Sequence, residues 1–391
     1  MKVFITDSGT KQTLAVVRGL GRENIEVLAG GTARKYHSAY FSRFVAKTIR
    51  YPDPENELNF IKAIKRICKR YNPSVIIPVS FRANYLLSKY LEKLNRRIIP
   101  VTPFPRYRIA AYKDATIKYC VKNGFPVPLT YYPKTLKDLK QISKEASFPL
   151  VIKSPVESGS VKYVNNEEEL IQTFNHVKHL PKNLYGDIDP IVQEFLSGGG
   201  YGFFALFNNG DPRAVFCHHR IHEYPITGGP STKAESYYND RMISIGIKLL
   251  KSLNWHGVAM VEFKRSYKTG KFKIIEVNPK FWGSLDLAIR SGVNFPYLLT
   301  KMITEGDIEK KCNYNLNISF RWVFGELSYL RARQDKLAGI KEFIKDIGNL
   351  NCYSDFDIKD PNPFIIQMIS AIRTLRKNAR LSKYPHGKPE L

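Results

Sequence analysis

Residues 257–279 read GVAMVEFKRSYKTGKFKIIEVNP, two apolar segments, Val258–Arg265 and Lys271–Asn278, around a polar turn. The pattern is that of a β-hairpin. Glu262 lies on its first strand, while Glu276 and Asn278, two residues apart, share one face of the second. If the hairpin is symmetric about Thr269, Glu262 stands directly opposite Glu276. Like charges so placed destabilise a sheet, and at ~5 Å with an effective dielectric of ~20 the repulsion is about 3 kcal/mol. A hard divalent cation offsets it, and two carboxylates plus an amide suit Mg2+ held partly through the phosphates of a nucleotide. Two plainer readings stay open: a bulge that shifts the register, or neutralisation by Lys264 and Lys273.

Before this hairpin a helix is expected over Asp240–Leu253. Strands are expected at Pro149–Lys153, Ile191–Leu196, Phe203–Asn208 and Ala214–His218, with Asn208-Asn209-Gly210-Asp211 turning the last two into a second hairpin. The N-terminal part alternates strand and helix: Val3–Thr6, Lys11–Leu20, Ile25–Leu28, a helix near Glu55–Arg70 and the strand Ser74–Val79. That helix places Leu58, Ile61, Ile64, Ile67 and Cys68 on one face and Lys62, Lys65, Arg66, Lys69 and Arg70 largely on the other. No GxGxxG follows the first strand, so there is no dinucleotide fingerprint. Pro100–Pro105 reads as a linker, and a helix follows over Lys113–Lys122. Beyond Gly306 the pattern is mixed. It ends in a helix with Ile365, Met368, Ile369, Ile372 and Leu375 on one side, then the basic run Arg376–Arg380.

The chain has 391 residues, enough for two or three domains. Its apolar fraction of 43% rules out disorder throughout. Lys and Arg number 61 against 35 Asp and Glu, a net +26. The excess is uneven: +14 in residues 1–112, +7 in 113–305 and +5 in 306–391. A field of that size favours an anionic partner, or is a well-solvated basic surface. The five cysteines are scattered and never spaced CxxC, which supports neither a disulfide framework nor a zinc site and fits a reducing compartment. The start reads as a strand, and no run approaches about 18 consecutive apolar residues, so a cytoplasmic protein without a transmembrane segment is expected.

Two further motifs carry chemistry. Lys153 ends the apolar strand PLVIK before the loop SPVESGS. A lysine beside a loop of free N–H groups is either a phosphate clamp or a solvated strand end; the loop is not a Walker A sequence. The segment HHRIHEYPITGGPST, residues 218–232, carries Arg220 into a glycine loop able to hold an anion, and its histidines match no zinc spacing.

In order, these pieces resemble the ATP-grasp superfamily, and within it the carbamoyl-phosphate-synthase-like proteins described as predicted carboligases. The resemblance covers roughly residues 1–305. KDATIKYCVKNGFPVPLT is similar to the family's lysine, helix and GxPxP segment, and PLVIKSPVESGS to its phosphate-lysine strand and glycine loop. IVQEFLSGGGYGFFALFNNG is similar to the hinge strand, HHRIHEYPITGGPST to the arginine and glycine loop, and WHGVAMVEFK with IIEVNPKFWGSLDLAIRSGVNFP to the metal-binding hairpin. The resemblance implies an α/β (α+β ATP-grasp) fold. It implies a Rossmann-like pre-ATP-grasp domain over 1–112, a two-lobed ATP-grasp domain over 113–305 and a small C-terminal extension over 306–391.

It also implies roles. Lys113 and Lys153 hold ATP phosphates, the loop at Gly159 and Ser160 closes over them, and Gln193, Glu194, Phe195 and Leu196 receive the adenine. Glu262, Glu276 and Asn278 bind Mg2+, with Mn2+ as a substitute, and Arg220 with Lys280 faces the transferred phosphate. Three positions depart from the family pattern. Lys280 stands where Arg is common and lacks its planar fork. SGGGYG lacks the usual ribose carboxylate, and His222 stands where Arg is frequent.

The implied reaction is ATP-dependent ligation: a carboxylate, bicarbonate included, becomes an acyl phosphate and is joined to an amine or other nucleophile. The implied partners are small carboxylate and amine substrates, an acidic carrier protein drawn to the basic N-terminal part, and a second copy of the chain. One rival is an ATP-binding regulatory protein without catalysis. A nucleic-acid partner rests on charge alone, since no recognised motif for it is present.

Overall fold

The computed structural model describes residues 1–33, 37–155, 161–179 and 188–377. The chain begins with β1 (Lys2–Ile5), α1 (Lys11–Gly21), β2 (Glu26–Gly31), β3 (Val45–Arg50), α2 (Glu57–Tyr71), β4 (Val75–Ile77), α3 (Phe81–Lys89) and α4 (Phe104–Ala111). The four strands form a parallel sheet in the order β3-β2-β1-β4. β1, β2 and β4 are buried on both faces, as expected inside a parallel sheet, while the edge strand β3 is largely exposed. Val3 and Ile5 point into one core and Phe4 into another. Thr10 caps α1 by accepting from the Thr13 N–H, which sets the first turn of that helix just beyond the carboxyl end of β1.

The basic helix starts two residues later than its periodicity predicts, and its core face is rotated. Phe60, Ile61, Ile64 and Ile67 are buried, but Leu58 is 63% exposed. Leu58 sits in the first turn, nearly opposite the middle of the stripe formed by Phe60, Ile64 and Ile67.

After α5 (Lys113–Lys122) comes a small antiparallel sheet, built from β5 (Thr130–Tyr131), β6 (Leu150–Lys153), β7 (Val161–Val164) and β8 (Ile191–Glu194) in the order β5-β8-β6-β7. Helices α6 (Leu136–Glu145) and α7 (Glu167–Lys178) cover one face of it. Leu139, Ile142, Leu170 and Phe174 pack there on Leu150, Ile152, Val164 and Val192. Alternation leaves Val151, Lys153 and Gln193 on the other face.

The large sheet holds β9 (Gly198–Asn208), β10 (Asp211–Glu223), β11 (Ser231–Ser236), β12 (Gly257–Ser266) and β13 (Phe272–Asn278), with α8 (Asp240–Ser252), α9 (Leu285–Arg290) and α10 (Phe295–Glu305) in the connections. Phe203, Ala205 and Phe207 on β9 face one core, and Phe204 and Leu206 the other. β9 begins five residues before the predicted strand. Its glycines pair with β12, and a Cβ on Gly198 would lie 2.1 Å from the Arg265 carbonyl oxygen, so this close approach needs glycine.

The C-terminal part is woven into the same sheet. β14 (Ser319–Arg321) pairs with β11, and β15 (Cys352–Ser354) with β14, giving the order β13-β12-β9-β10-β11-β14-β15. Helices α11 (Val323–Ala332), α12 (Lys336–Ile347) and α13 (Asn362–Lys377) complete it. Arg18 of α1 binds Asp360 at 2.9 Å with both side chains buried, and Asp360 also accepts from Ser42 at 2.8 Å. This clasp ties the end of the chain to its beginning. Of the basic run Arg376–Arg380, residues 378–380 lie outside the described residues.

Candidate functional site

A cavity of about 450 Å3 lies between the small and large sheets. Its floor is the hairpin of β12 and β13, where Glu262 pairs with Glu276, Val261 with Val277 and Met260 with Asn278. Toward the turn the register differs by one residue: Lys264 pairs with Lys273 and Arg265 with Phe272. A bulge at Ile275 absorbs the difference. The two carboxylates do face each other, although the turn itself is not centred on Thr269.

Neither Lys264 nor Lys273 forms an ion pair with those carboxylates, although Lys264 feels the charge of Glu262. Lys264 donates to the Leu196 carbonyl at 3.2 Å, and Lys273 pairs with Glu194. The compensating charges come from other elements: Arg220 of β10 donates to Glu262 at 2.6 Å, and Lys113 at the start of α5 lies 3.1 Å from Glu276. Asn278 Nδ2 donates to Glu276 at 2.9 Å. Burial opposes ionisation of Glu276, but the charge of Lys113, these hydrogen bonds and Lys153 outweigh it and hold the carboxyl at about 2. Burial likewise opposes the charge on Arg220, yet Glu262 and Glu223 more than restore it.

Lys153 leaves the end of β6 into the cavity, 8% exposed, and donates to Gln193 Oε1 at 2.7 Å. Gln193 in turn donates to Thr130 Oγ1 at 2.9 Å. Burial pulls Lys153 from 10.5 down to about 8 against the attraction of Glu276. At the strip that follows β8, the Glu194 N–H donates to the Leu129 carbonyl at 2.9 Å, and Phe195 packs edge-on against Tyr163 at 5.5 Å. Lys280 is buried and also lines the cavity. The cavity thus gathers Lys113, Lys153, Gln193, Glu194, Phe195, Leu196, Arg220, Glu262, Glu276, Asn278 and Lys280. Gly159 and Ser160 lie outside the described residues.

His222 points elsewhere. The ladder with β11 slips between Arg220 and His222, and His222 stacks on Tyr329 of α11 at 4.1 Å and meets Glu326 at 2.9 Å. Two other cavity residues, Lys11 and Trp282, were not singled out from the sequence, while Lys264 entered only as a neutralising charge and His218 only as part of a histidine cluster. Period-two alternation from Glu262 puts Lys264 on the same face of β12. Lys11 carried one signal, its place just past the carboxyl end of a parallel strand, where open α/β sheets bind ligands.

As chemistry, the arrangement is a row of anchored cations facing two carboxylates and an amide. Glu262, Glu276 and Asn278 are hard oxygen donors of the kind Mg2+ takes, and Asn278 spends its Nδ2 on Glu276, leaving its amide oxygen as a ligand. Among the described residues there is no group of three or more His, Cys, Asp or Glu side chains suited to a metal, so a metal here relies on Asn278 and on oxygens from its ligand.

Residues 226–325 match the family model for ATP-grasp in the biosynthetic pathway with Ter operon. Over 211 residues, 51% of this chain, it is 23% identical to the carbamoyl phosphate synthase large chain of a Thermoanaerobacter species, and spans only 19% of that protein. Biotin carboxylase from Campylobacter jejuni, solved as a β,γ-ATP complex, superposes with a TM-score of 0.68 at 14% identity, covering 81% of this chain and 74% of that one. The L-amino acid ligase from Bacillus licheniformis superposes with a TM-score of 0.62 at 17% identity, covering 79% and 75%.

Proposed function

We propose that the chain is an ATP-grasp protein and an ATP- and Mg2+-dependent ligase that joins a carboxylate to an amine or other nucleophile. The observation that carries this reading is the facing pair Glu262 and Glu276, set in a cavity where Lys113, Lys153 and Arg220 converge.

In this proposal the Leu196 N–H and the strip Gln193–Leu196 receive the adenine, and Lys113 and Lys153 bind phosphate oxygens. Bound Mg2+, or Mn2+ in its place, would sit on Glu262, Glu276 and Asn278 and spread the charge that develops on the phosphates. A carboxylate oxygen attacks the γ-phosphorus in line, the bond from that phosphorus to the bridging oxygen of ADP breaks, and an acyl phosphate forms. Arg220 and Lys280 neutralise the oxygens of the moving phosphoryl group. The amine nitrogen then attacks the acyl carbon, the C–O bond to phosphate breaks, and the nitrogen loses its proton. Holding the partners in one closed cavity orients them and keeps water from the acyl phosphate.

The same proposal keeps the division at residues 112 and 305, with 1–112 on the acceptor side of the cleft and 306–391 extending the large sheet through β14 and β15. A cytoplasmic setting is part of it, supported by five free cysteines. Among the described residues no helix is long and apolar enough to cross a membrane.

The test is ADP release across a matrix of carboxylates and amines. Glu276→Ala is expected to cut Mg2+-dependent turnover at least about a hundredfold while far-UV circular dichroism is unchanged. Full activity in that variant sinks the metal assignment. ADP binding without release against any pair of substrates would leave a regulatory nucleotide binder instead.

A further inference from the structure

The cavity has a second cationic end, built from three separate parts of the chain. Lys11, the first residue of α1, reaches past Gly283, where an added Cβ would lie 2.9 Å from the lysine Cε and 3.3 Å from its Nζ. The ammonium ends 4.3 Å from the centre of the Trp322 ring, just beyond β14. Trp322 is only 4% exposed. A lysine on a buried indole face is held by the ring quadrupole. Among the described residues no carboxylate lies within 4.0 Å of Lys11 Nζ, and the acids it feels, Asp355 and Asp286, act from farther away. Burial lowers it to about 8, so it remains mostly charged at neutral pH.

Neutral donors cluster beside it. Trp282 Nε1 and Trp322 Nε1 are buried without a hydrogen-bond partner among the described residues, and so are both ring nitrogens of His218. Trp282 and His218 line the cavity together with Lys11. An indole N–H can only donate, so what completes this end is an acceptor. This end is distinct from the phosphate end. The charges around Lys153 are Glu276, Lys113, Glu262 and Lys264, whereas those around Lys11 are Asp355, Asp286 and Arg220. Arg220, bonded to Glu262, lies between the two groups.

We propose that Lys11, seated on Trp322 and joined in the cavity by Trp282, receives a second anionic group on the carboxylate substrate, so that the preferred substrates are dianions with one end beside Arg220 and the other at Lys11. This rests on the ligase reading above. Lys11 acts here as a specificity-determining residue, and Gly283 leaves the slot through which it enters.

Two of the three tryptophans of the chain sit at this end, so intrinsic fluorescence reads it directly. With MgADP bound, the protein is titrated with butyrate, succinate and 3-phosphonopropionate, which share a carboxylate and differ in the second charge. A dianion is expected to bind about tenfold more tightly than butyrate, the worth of one charge-assisted contact. The better of the two dianions identifies the second group as carboxylate or phosphonate-like. Lys11→Gln is expected to bring that preference below about twofold while leaving butyrate unchanged. Gly283→Ala, which displaces the ammonium but keeps its charge, is expected to weaken only the dianions. Equal binding of all three by the parent, no saturable response to either dianion, or an unchanged preference in Lys11→Gln overturns the proposal. Thermal protection by MgATP, measured on the same samples, reports the nucleotide end: its loss sinks the ligase reading, and its persistence without a dianion preference sinks this one alone.

Discussion

Lys153 is a charge the unliganded fold holds at a cost, and replacing it with methionine should therefore stabilise the protein while removing nucleotide binding. Its ammonium is 8% exposed, and burial moves it from 10.5 to about 8. That difference corresponds to about 3 kcal/mol of lost preference for the charged form. A base lowered in the folded state costs stability at every pH below its unfolded value, fully below about pH 8 and progressively less as pH rises toward 10.5. Lys153→Met removes this cost but leaves Gln193 Oε1 without its donor, which returns about 1 kcal/mol. The net expectation is a gain of about 2 kcal/mol at pH 7 that closes between pH 8 and 10. Urea unfolding of parent and variant, followed by circular dichroism in metal-free buffer across that range, reads it. Isothermal titration with MgATP on the same variant should show binding lost. A variant less stable than the parent at pH 7 would refute the reasoning, because it would mean that Glu276 and Gln193 stabilise the ammonium by more than burial penalises it.

The clasp between the two ends of the chain gives the opposite sign: Arg18→Met leaves Asp360 buried with only Ser42 and the Arg43 N–H, and should lower stability by about 3–5 kcal/mol. An unchanged urea midpoint would show that the pair contributes nothing. The exposed lysines of α2 test the long-range field. Reversing Lys62, Lys65 and Lys69 to Glu should raise KM for an anionic substrate at least about threefold at low salt, with the effect fading as salt is added. An unchanged KM makes that helix a solvated face.

The local parts of this architecture were legible and the long-range parts were not. Strand and helix periods, the Asn208–Asp211 turn and the start of α5 at Lys113 all follow from near neighbours in sequence. The facing of Glu262 and Glu276 was also readable, though by a route the structure corrects: the turn is off by one residue and the bulge at Ile275 makes up the difference. What compensates the two carboxylates could not be read from the hairpin, since Lys113 and Arg220 arrive from α5 and β10 while the adjacent Lys264 and Lys273 turn to the Leu196 carbonyl and Glu194. Lys11 meets Trp322 across more than 300 residues of sequence, a contact that no local pattern encodes. The same holds for β14 and β15, three residues each, too short to carry a period and recognisable only once β11 supplies the edge they extend.

If a carboxylate is activated as an acyl phosphate in the cavity over Glu262 and Glu276, one of its oxygens passes to the released phosphate. The most direct measurement of this transfer uses the carboxylate that best supports ADP release, labelled with 18O, in unlabelled water. The released phosphate is expected to carry one labelled oxygen per turnover. Unlabelled phosphate formed alongside the ligated product, or label in AMP, would contradict it.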